Sequence, residues 1–265
     1  MTLETKKQIL RESKDLMGHY LYKRTVVLAA HDETGFIDHG TGMLLKLDEA
    51  AVVITAAHVI KGRDPSMIQL ITTDKPSNIR FSPGKGDLFG GEVSEELDVG
   101  FLRIDDTSPL LDQNEFLSLD DFDFFPTGLS DDLAILFGMP AVEHKVEGGN
   151  VHSFSSFAYL NSYPDDFDWS TPGNRPVTLS VDYEEVVPDV FSGKEVSLPD
   201  PYGMSGGGLW RARFAGASVW TPERLRLVGI LTELHENVRE VRANRVENLY
   251  HLLSLHFDVP EIKQP

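Results

Sequence analysis

Two short runs of residues carry side chains whose types and setting could do chemistry together. The run ITAAH at residues 54–58 brings His58 directly off an apolar strand, and the small residues before it allow the backbone to turn tightly. The run ELDVGFL at residues 96–102 places Asp98 at the head of another apolar strand, where a carboxylate charge is costly unless it is hydrogen-bonded. Such a carboxylate can hold a neighbouring imidazole in one tautomer.

A third run, YGMSGGGLW at residues 202–210, sets a serine among glycines. The glycines on both sides of Ser205 allow unusual backbone dihedral angles and expose the hydroxyl. They also leave the backbone amides of Gly203 and Ser205 unobstructed, as the binding of a developing oxyanion requires. Each of the three runs also has a plainer explanation when taken singly: a histidine at a strand end, a turn aspartate, and a glycine-rich turn with an incidental serine.

The order of the three candidates along the chain is histidine, aspartate, serine. In this order the chain resembles the trypsin-like serine proteases, which have the chymotrypsin fold. The resemblance extends over residues 20–257 and includes the runs GTGML at 40–44 and LVGI at 227–230. It implies an all-β protein of two packed antiparallel β-barrels with a helix at each end. Because the chain has no cysteine, bacterial-type members without disulfides are the nearer comparison.

The resemblance implies a role for each candidate. Ser205 would be the nucleophile, His58 would take its proton and return it to the leaving amine, and Asp98 would orient His58. The backbone amides of Gly203 and Ser205 would form the oxyanion hole. The implied activity is that of a serine endopeptidase working through an acyl-enzyme intermediate, with no cofactor and no metal ion.

The resemblance also implies where a substrate would bind. A strand beginning near Leu231 would pair with an extended substrate backbone, and Thr232 would lie beside Asp98. The floor of the specificity pocket would come from the residues just before the serine. The candidate substrate-binding residues are Leu198, Pro199, Thr232, Glu233 and Leu234.

The implied partners are a protein or peptide substrate and, as an open alternative, an activating partner protein. The second arises because Met204 stands where family members usually carry an aspartate or asparagine before the nucleophile. In zymogen-activated members that aspartate pairs with a freed N-terminal amine, an ion pair that methionine cannot form.

The composition excludes several classes of function. The 42 acidic residues outnumber the 24 lysines and arginines, for a formal charge of −18, and such a surface repels phosphate backbones and anionic lipids. We therefore expect neither nucleic acid nor a membrane as partner. No run approaches the ~18 apolar residues of a membrane span, and the first 18 residues lack the apolar core of a secretory signal. With no cysteine there is no thiolate catalysis or cysteine-ligated zinc, and a cytoplasmic location is expected.

The apolar patterns predict the order of elements along the chain. Residues 1–18 form a helix ended by Gly18, residues 19–112 a first barrel, residues 113–132 a linker, and residues 133–265 a second barrel with a C-terminal helix. Strands are predicted over 23–30, 42–47, 51–55, 68–72, 99–104, 133–137, 151–160, 177–181 and 225–231, and the C-terminal helix over 244–257.

Three other interpretations stay open at this point. A protease-fold binding module, catalytically lapsed or gated by a partner, would keep the same fold. An esterase or acyltransferase of the α/β-hydrolase type would need the order serine, aspartate, histidine, whereas His58 and Asp98 both precede Ser205. A metal site built from His31, His39 and nearby acids matches no compact ligand spacing, and surface histidines are the simpler interpretation.

Overall fold

Two antiparallel sheets of six strands each form the body of the protein. The computed structural model describes residues 2–33, 35–48, 50–71, 88–107, 110, 113–126, 132–147, 151–162, 178–184, 186–188, 194–214, 219–235, 237 and 239–262.

The first sheet comes from the first half of the chain. Its strands are β1 (Thr25–Asp32), β2 (Gly35–Lys46), β3 (Ala51–Thr55), β4 (Ile68–Ile71), β5 (Leu88–Ser94) and β6 (Val99–Ile104). They are hydrogen-bonded in the order β4-β1-β2-β3-β6-β5, and the outer strands β4 and β5 are in contact, which curls the sheet into a barrel. The hairpin predicted over residues 42–55 is confirmed as β2–β3, with Met43 opposite Ile54.

The second sheet comes from the chain after residue 132. The strands there are β7 (Leu133–Gly138), β8 (Lys145–Glu147), β9 (Val151–Ser153), β10 (Phe157–Ser162), β11 (Thr178–Asp182), β12 (Val186–Pro188), β13 (Glu195–Ser197), β14 (Gly208–Ala212), β15 (Leu225–His235) and β16 (Glu240–Arg245). Six of them pair in the order β10-β7-β14-β15-β16-β11, with β10 and β11 again in contact, while β8–β9 and β12–β13 form small separate ribbons.

One strand prediction in this half is wrong. The strand predicted over residues 151–160 is two strands, β9 in a small ribbon and β10 in the six-stranded sheet, and residues 154–156 between them are not in a strand. Phe154 is instead buried against the rings of His39 and His144. The predicted ends of two other strands, Thr72 and Val177, lie outside the described residues.

Helices in the described residues flank the two sheets. They are α1 (Leu3–Glu12), α2 (Lys14–Lys23), α3 (Ala57–Ile60) and α4 (Val246–Ser254). The C-terminal helix lies within its predicted range. The predicted helix end at Gly18 is wrong, because α2 continues through this residue to Lys23. Burial of Tyr20, Leu21 and Tyr22 outweighs the cost of about 1 kcal/mol that a glycine brings to a helix interior.

Residues 113–126 pass from the first sheet to the second and are bound to both. The amide of Leu117 donates to the Leu44 carbonyl on β2 at 2.8 Å, and Phe122 forms a bridge with Leu227 on β15. These residues belong to the predicted linker, of which residues 127–131 lie outside the described residues. The largest apolar cluster likewise draws on both sheets, on α2 and on α4.

A buried ion pair fastens the start of the second sheet to this connecting segment. The guanidinium of Arg211 on β14 contacts Asp132 through Nε at 2.6 Å and Asp123 through Nη1 at 2.7 Å. Asp132 has only 2% of its side chain exposed. A charge so deeply buried depends on its partner, since an unpaired buried carboxylate is strongly destabilising.

Candidate active site

The pairing of β3 with β6 brings two of the candidate residues together. His58 lies on α3, directly after β3, and Asp98 immediately precedes β6. Nδ1 of His58 lies 2.9 Å from Oδ2 and 3.1 Å from Oδ1 of Asp98, and the His58 amide donates to Oδ1 at 3.0 Å. A carboxylate in this position accepts a hydrogen bond from Nδ1–H, which keeps the proton on Nδ1 and leaves Nε2 as the basic nitrogen of the ring.

Asp98 is held by a turn more than by burial, although it stands at the head of an apolar strand. Its side chain is 31% exposed and that of His58 is 50% exposed. The Asp98 backbone has a φ of +44°, in the left-handed region that residues other than glycine seldom adopt, and its amide donates to the Glu95 carbonyl at 3.3 Å. The turn aims the carboxylate at His58 while water still reaches it.

Ser205 lies in the loop of residues 201–207, which leads into β14. Met204 is buried in the apolar core of the second barrel, so packing anchors the loop where an ion pair does so in zymogen-activated proteases. The amide of Gly206 donates to the Leu231 carbonyl at 2.7 Å. Gly206 has a φ of +86°, and a Cβ there would lie 2.0 Å from a carbonyl oxygen of β2. Only glycine fits immediately after the serine.

The direction of the Gly203 backbone amide follows from the hydrogen bond of the carbonyl before it. The preceding carbonyl, of Tyr202, accepts a hydrogen bond from the Ala141 amide at 2.6 Å. The C=O and N–H of one trans peptide unit point in opposite directions, and the described residues contain no cis peptide bond. The Gly203 amide therefore points away from Ala141, and no hydrogen bond within the described residues uses it.

The amide of Ser205 is oriented in the same way. The Met204 carbonyl accepts from the Gly207 amide at 2.8 Å, so the N–H of the same peptide unit points away from Gly207. No acceptor for the Ser205 amide occurs in the described part of the chain. Two amide donors near one serine hydroxyl, both with their carbonyls anchored elsewhere, are suited to binding a negatively charged oxygen.

The Ser205 hydroxyl donates to the Thr232 carbonyl at 2.9 Å. No hydrogen bond between Ser205 and His58 occurs among the described residues. The structure thus joins His58 with Asp98 and leaves the serine hydroxyl on a different acceptor.

A single stretch of β2 contacts both halves of the candidate site. The Thr41 amide donates to the Ser205 carbonyl at 2.8 Å. A Cβ on Gly40 would lie 2.6 Å from Val59, the residue after His58, and 3.3 Å from the Ser205 carbonyl oxygen. The serine loop and the histidine helix therefore approach each other across β2.

The candidate substrate-binding residues after β14 lie on β15. Thr232 is buried, and its hydroxyl donates to the Arg242 carbonyl at 3.3 Å, with no hydrogen bond to Asp98 in the described residues. Glu233 is exposed and forms an ion pair with Arg242 at 3.1 Å. Leu234 is partly buried against the core of the second barrel.

The candidate residues before the serine lie next to the same core. Leu198 is partly buried against it, and the Pro199 carbonyl accepts a hydrogen bond from the Tyr183 hydroxyl at 2.8 Å. Both are therefore fixed to the second barrel near the serine loop.

Two residues that lie close to the serine loop, Thr41 and His39, were not assigned to this site from the sequence. The Thr41 hydroxyl donates to the Gly203 carbonyl at 2.9 Å and accepts from the Met139 amide at 3.0 Å. His39 is buried, with Nε2 3.2 Å from the Met139 carbonyl oxygen. Burial lowers the pKa of His39, against the opposing effects of the Met139 carbonyl and of Asp38. The glycines around Thr41 were the available signal.

The interpretation of His39 as a surface histidine is therefore wrong, since aromatic rings cover it. Within the described ranges, no group of three histidine, aspartate or glutamate side chains is arranged to hold a metal ion.

Comparison with known proteins matches this chain to solved structures alone. No protein-family model and no curated protein matches it. A serine endoprotease from Yersinia pestis aligns with a TM-score of 0.52 at 14% identity, over 91% of this chain and 65% of that one. The active form of a protease from M. tuberculosis aligns with a TM-score of 0.51 at 14% identity, over 95% and 88%. A scabies mite inactivated protease paralogue aligns with a TM-score of 0.56 at 15% identity, over 89% and 96%.

The protein thus has the trypsin-like, or chymotrypsin, fold, and the predicted all-β architecture of two antiparallel barrels is confirmed. At these identities the likeness shows the fold and leaves the activity to be argued from the site. None of the helices in the described residues is long and apolar enough to span a membrane.

Proposed function

We propose that the protein is a serine endopeptidase in which Ser205, His58 and Asp98 form the catalytic triad. The observation that carries the proposal is the contact of both Asp98 carboxylate oxygens with Nδ1 of His58. This contact orients the ring with Nε2 free to accept a proton, which is the state a general base needs.

The reaction would proceed through an ester on Ser205. Oγ attacks the carbonyl carbon of the scissile peptide bond while its proton passes to Nε2 of His58. Collapse of the tetrahedral intermediate breaks the C–N bond, and the leaving amine takes that proton from His58. A water molecule, deprotonated by His58, then attacks the carbonyl carbon of the ester. The C–Oγ bond breaks, the acid leaves, and Oγ of Ser205 takes the proton back from His58. The amides of Gly203 and Ser205 would bind the oxyanion in both steps, each contributing about 3–4 kcal/mol.

The Ser205 hydroxyl must leave the Thr232 carbonyl for this reaction. Rotation about its Cα–Cβ bond would move Oγ toward Nε2, and catalytic hydrogen bonds often tighten only when substrate is bound. Substrate can favour this rotation, because the Thr232 carbonyl is also an acceptor for the backbone of an added strand. A substrate amide bound there would compete with the serine hydroxyl.

The free edge of β15 would bind the substrate backbone. β14 pairs with β15 from Leu225 to Ile230, and no described strand pairs with the same edge from Thr232 to His235. An extended peptide can add to such an edge through main-chain hydrogen bonds. Glu233 and Leu234 would then contact its side chains, with Leu198 and Pro199 close by.

The second candidate function is a partner-gated or catalytically lapsed binding module. The observation in its favour is the hydroxyl of Ser205, which is bonded to Thr232 and not to His58. One of the structures of similar fold is itself described as inactivated. A partner that occupies the β15 edge would be the expected trigger in the gated case.

A fluorophosphonate probe tests the proposal directly, because it reacts with an activated serine with loss of fluoride. We expect peptide mapping of the labelled protein to identify Ser205. Ser205→Ala should lose the label and reduce peptide hydrolysis on the order of 10⁶-fold. Asp98→Asn should reduce it by about 10⁴-fold.

The matched control is Ser254→Ala, which removes another hydroxyl that donates to a carbonyl, here on α4 at 2.8 Å. Labelling and hydrolysis should be unchanged in this variant. A wild-type protein that stays unlabelled in buffer but is labelled in cell lysate would favour the gated module. Absence of labelling in both would contradict the endopeptidase.

A further inference from the structure

The peptide unit between Gly203 and Met204 links the two candidate oxyanion donors. The Gly203 amide belongs to the peptide unit before it, and the Ser205 amide belongs to the unit after it. Each unit is planar and rigid, so rotation of the middle unit about its flanking bonds turns the two amides relative to each other. Both amides must be directed at the same oxygen atom to bind an oxyanion.

The carbonyl of this middle unit is bound by a side chain of the first barrel. The hydroxyl of Thr41, on β2, donates to the Gly203 carbonyl oxygen at 2.9 Å. The same hydroxyl accepts a hydrogen bond from the Met139 amide at 3.0 Å. A hydroxyl has a single proton to donate, and here that proton is directed at Gly203.

The backbone of Thr41 holds the same loop at a second point. Its amide donates to the Ser205 carbonyl at 2.8 Å, so the side chain and the backbone of Thr41 bind alternate carbonyls of the loop. The carbonyls of Tyr202 and Met204 accept instead from amides of the second barrel. Thr41 therefore fixes the serine loop to the first barrel.

Thr41 is itself firmly held. Its carbonyl accepts from the Thr55 hydroxyl at 2.7 Å, and both threonines are fully buried. Without the Thr41 hydroxyl, the Gly203 carbonyl would lose its donor in a place that burial shields from solvent. Gly203 has a φ of +90°, and a glycine offers little resistance of its own to rotation of the adjoining peptide units.

We propose that Thr41 is a positioning residue whose hydroxyl fixes the Gly203–Met204 peptide unit and thereby keeps the two candidate oxyanion donors aligned with each other. The catalytic consequence of this inference rests on the proposed function. The geometry of the oxyanion hole on the second barrel then depends on a side chain of the first barrel.

Thr41→Val tests the proposal, because it removes the hydroxyl and keeps the volume of the side chain. We expect kcat for a peptide substrate to fall at least ~10-fold, up to the ~10²–10³-fold loss that follows removal of an oxyanion donor, with KM little changed. Affinity for a peptide aldehyde, which forms a tetrahedral adduct with a serine, should fall in parallel. Thr41→Ser keeps the hydroxyl and should keep most of the wild-type kcat.

Thr25→Val is the matched control. Thr25 is also fully buried, and its hydroxyl donates to the Leu21 carbonyl at 2.9 Å. This variant should be less stable than the wild type but keep its kcat and aldehyde affinity. A folded Thr41→Val enzyme with wild-type kcat, or one changed only in KM, would overturn the proposal, as would an equal loss of kcat in Thr25→Val. If Thr41→Val does not fold, Thr41→Ala is the milder variant, because a water molecule can replace part of the lost group, and the same outcomes decide.

Amide hydrogen exchange keeps this test separate from that of the proposed function. The Met204 amide is the N–H of the middle unit, and it donates to the Pro201 carbonyl at 2.8 Å. Measured by NMR relative to the amides of β7 in the same sample, its exchange should be ~10-fold faster in Thr41→Val and unchanged in Thr25→Val. Unchanged relative exchange in Thr41→Val would refute the positioning role even in an active enzyme. Faster exchange in a protein that no fluorophosphonate labels would support the positioning contact and reject the endopeptidase.

Discussion

Replacing Thr41 by valine should destabilise the protein without changing its shape. The Thr41 hydroxyl donates to the Gly203 carbonyl at 2.9 Å and accepts from the Met139 amide at 3.0 Å. All three residues are buried, and Thr41 and Met139 are fully so. The hydroxyl therefore ties β2, the end of β7 and the serine loop together at one point from which water is absent.

Valine at position 41 fills nearly the same volume but offers neither donor nor acceptor. The Met139 amide and the Gly203 carbonyl are then left buried with no partner, at about 1–3 kcal/mol each. Allowing for the favourable burial of the new methyl group, we expect the free energy of unfolding to fall by about 2–4 kcal/mol. Thr41→Ser is the matched control, since it keeps both hydrogen bonds and loses one methyl, for about 1 kcal/mol.

Urea titration followed by tryptophan fluorescence measures both variants on one scale. The Thr41→Val midpoint should shift by roughly 1 M for an m-value near 3 kcal/mol/M, with the slope unchanged. Equal midpoints for Thr41→Val and Thr41→Ser would refute the reasoning, because the hydrogen bonds would then contribute nothing beyond the lost methyl.

Three further changes have expected outcomes. Burial lowers the pKa of His39 in the folded protein, so the unfolded chain binds a proton more readily. The free energy of unfolding should therefore fall as the pH drops below about 6.5. Urea titrations above and below that pH should show a smaller fall for His39→Gln than for the wild type. Arg211→Met leaves Asp132 buried and unpaired and should cost about 3–5 kcal/mol, and a loss under about 1 kcal/mol in thermal unfolding would contradict this. Gly206→Ala should fail to give folded protein by circular dichroism, whereas Gly62→Ala, which has a φ of +69° but open space around it, should fold.

The sequence predicted well the parts of the fold whose signals are local. The strand over 99–104 matches β6 residue for residue, because an acid, a run of apolar side chains and another acid mark its limits. β14 was missed. Its run, GLWRA, carries an arginine whose burial depends on carboxylates far away in the chain. The prediction that the helix ends at Gly18 is wrong for a related reason, because burial of the residues that follow outweighs the cost of a glycine in a helix.

The candidate triad could be predicted from the sequence only through the order of three motifs. Which acceptor the Ser205 hydroxyl uses depends on where the Thr232 carbonyl lies, and that depends on the packing of β15 against the serine loop.

The connecting segment has a consequence for the order in which the chain can fold as it is synthesised. When Leu117 is synthesised, its partner strand β2 has already been made. The partner strand of Phe122, β15, is synthesised only about 100 residues later. Until β15 is made, the apolar side of the connecting segment around Phe122 has no partner to pack against. We therefore expect the first barrel alone to be prone to aggregation. A fragment that ends after Phe122 should need a chaperone, or the second barrel supplied as a separate chain, to remain in solution.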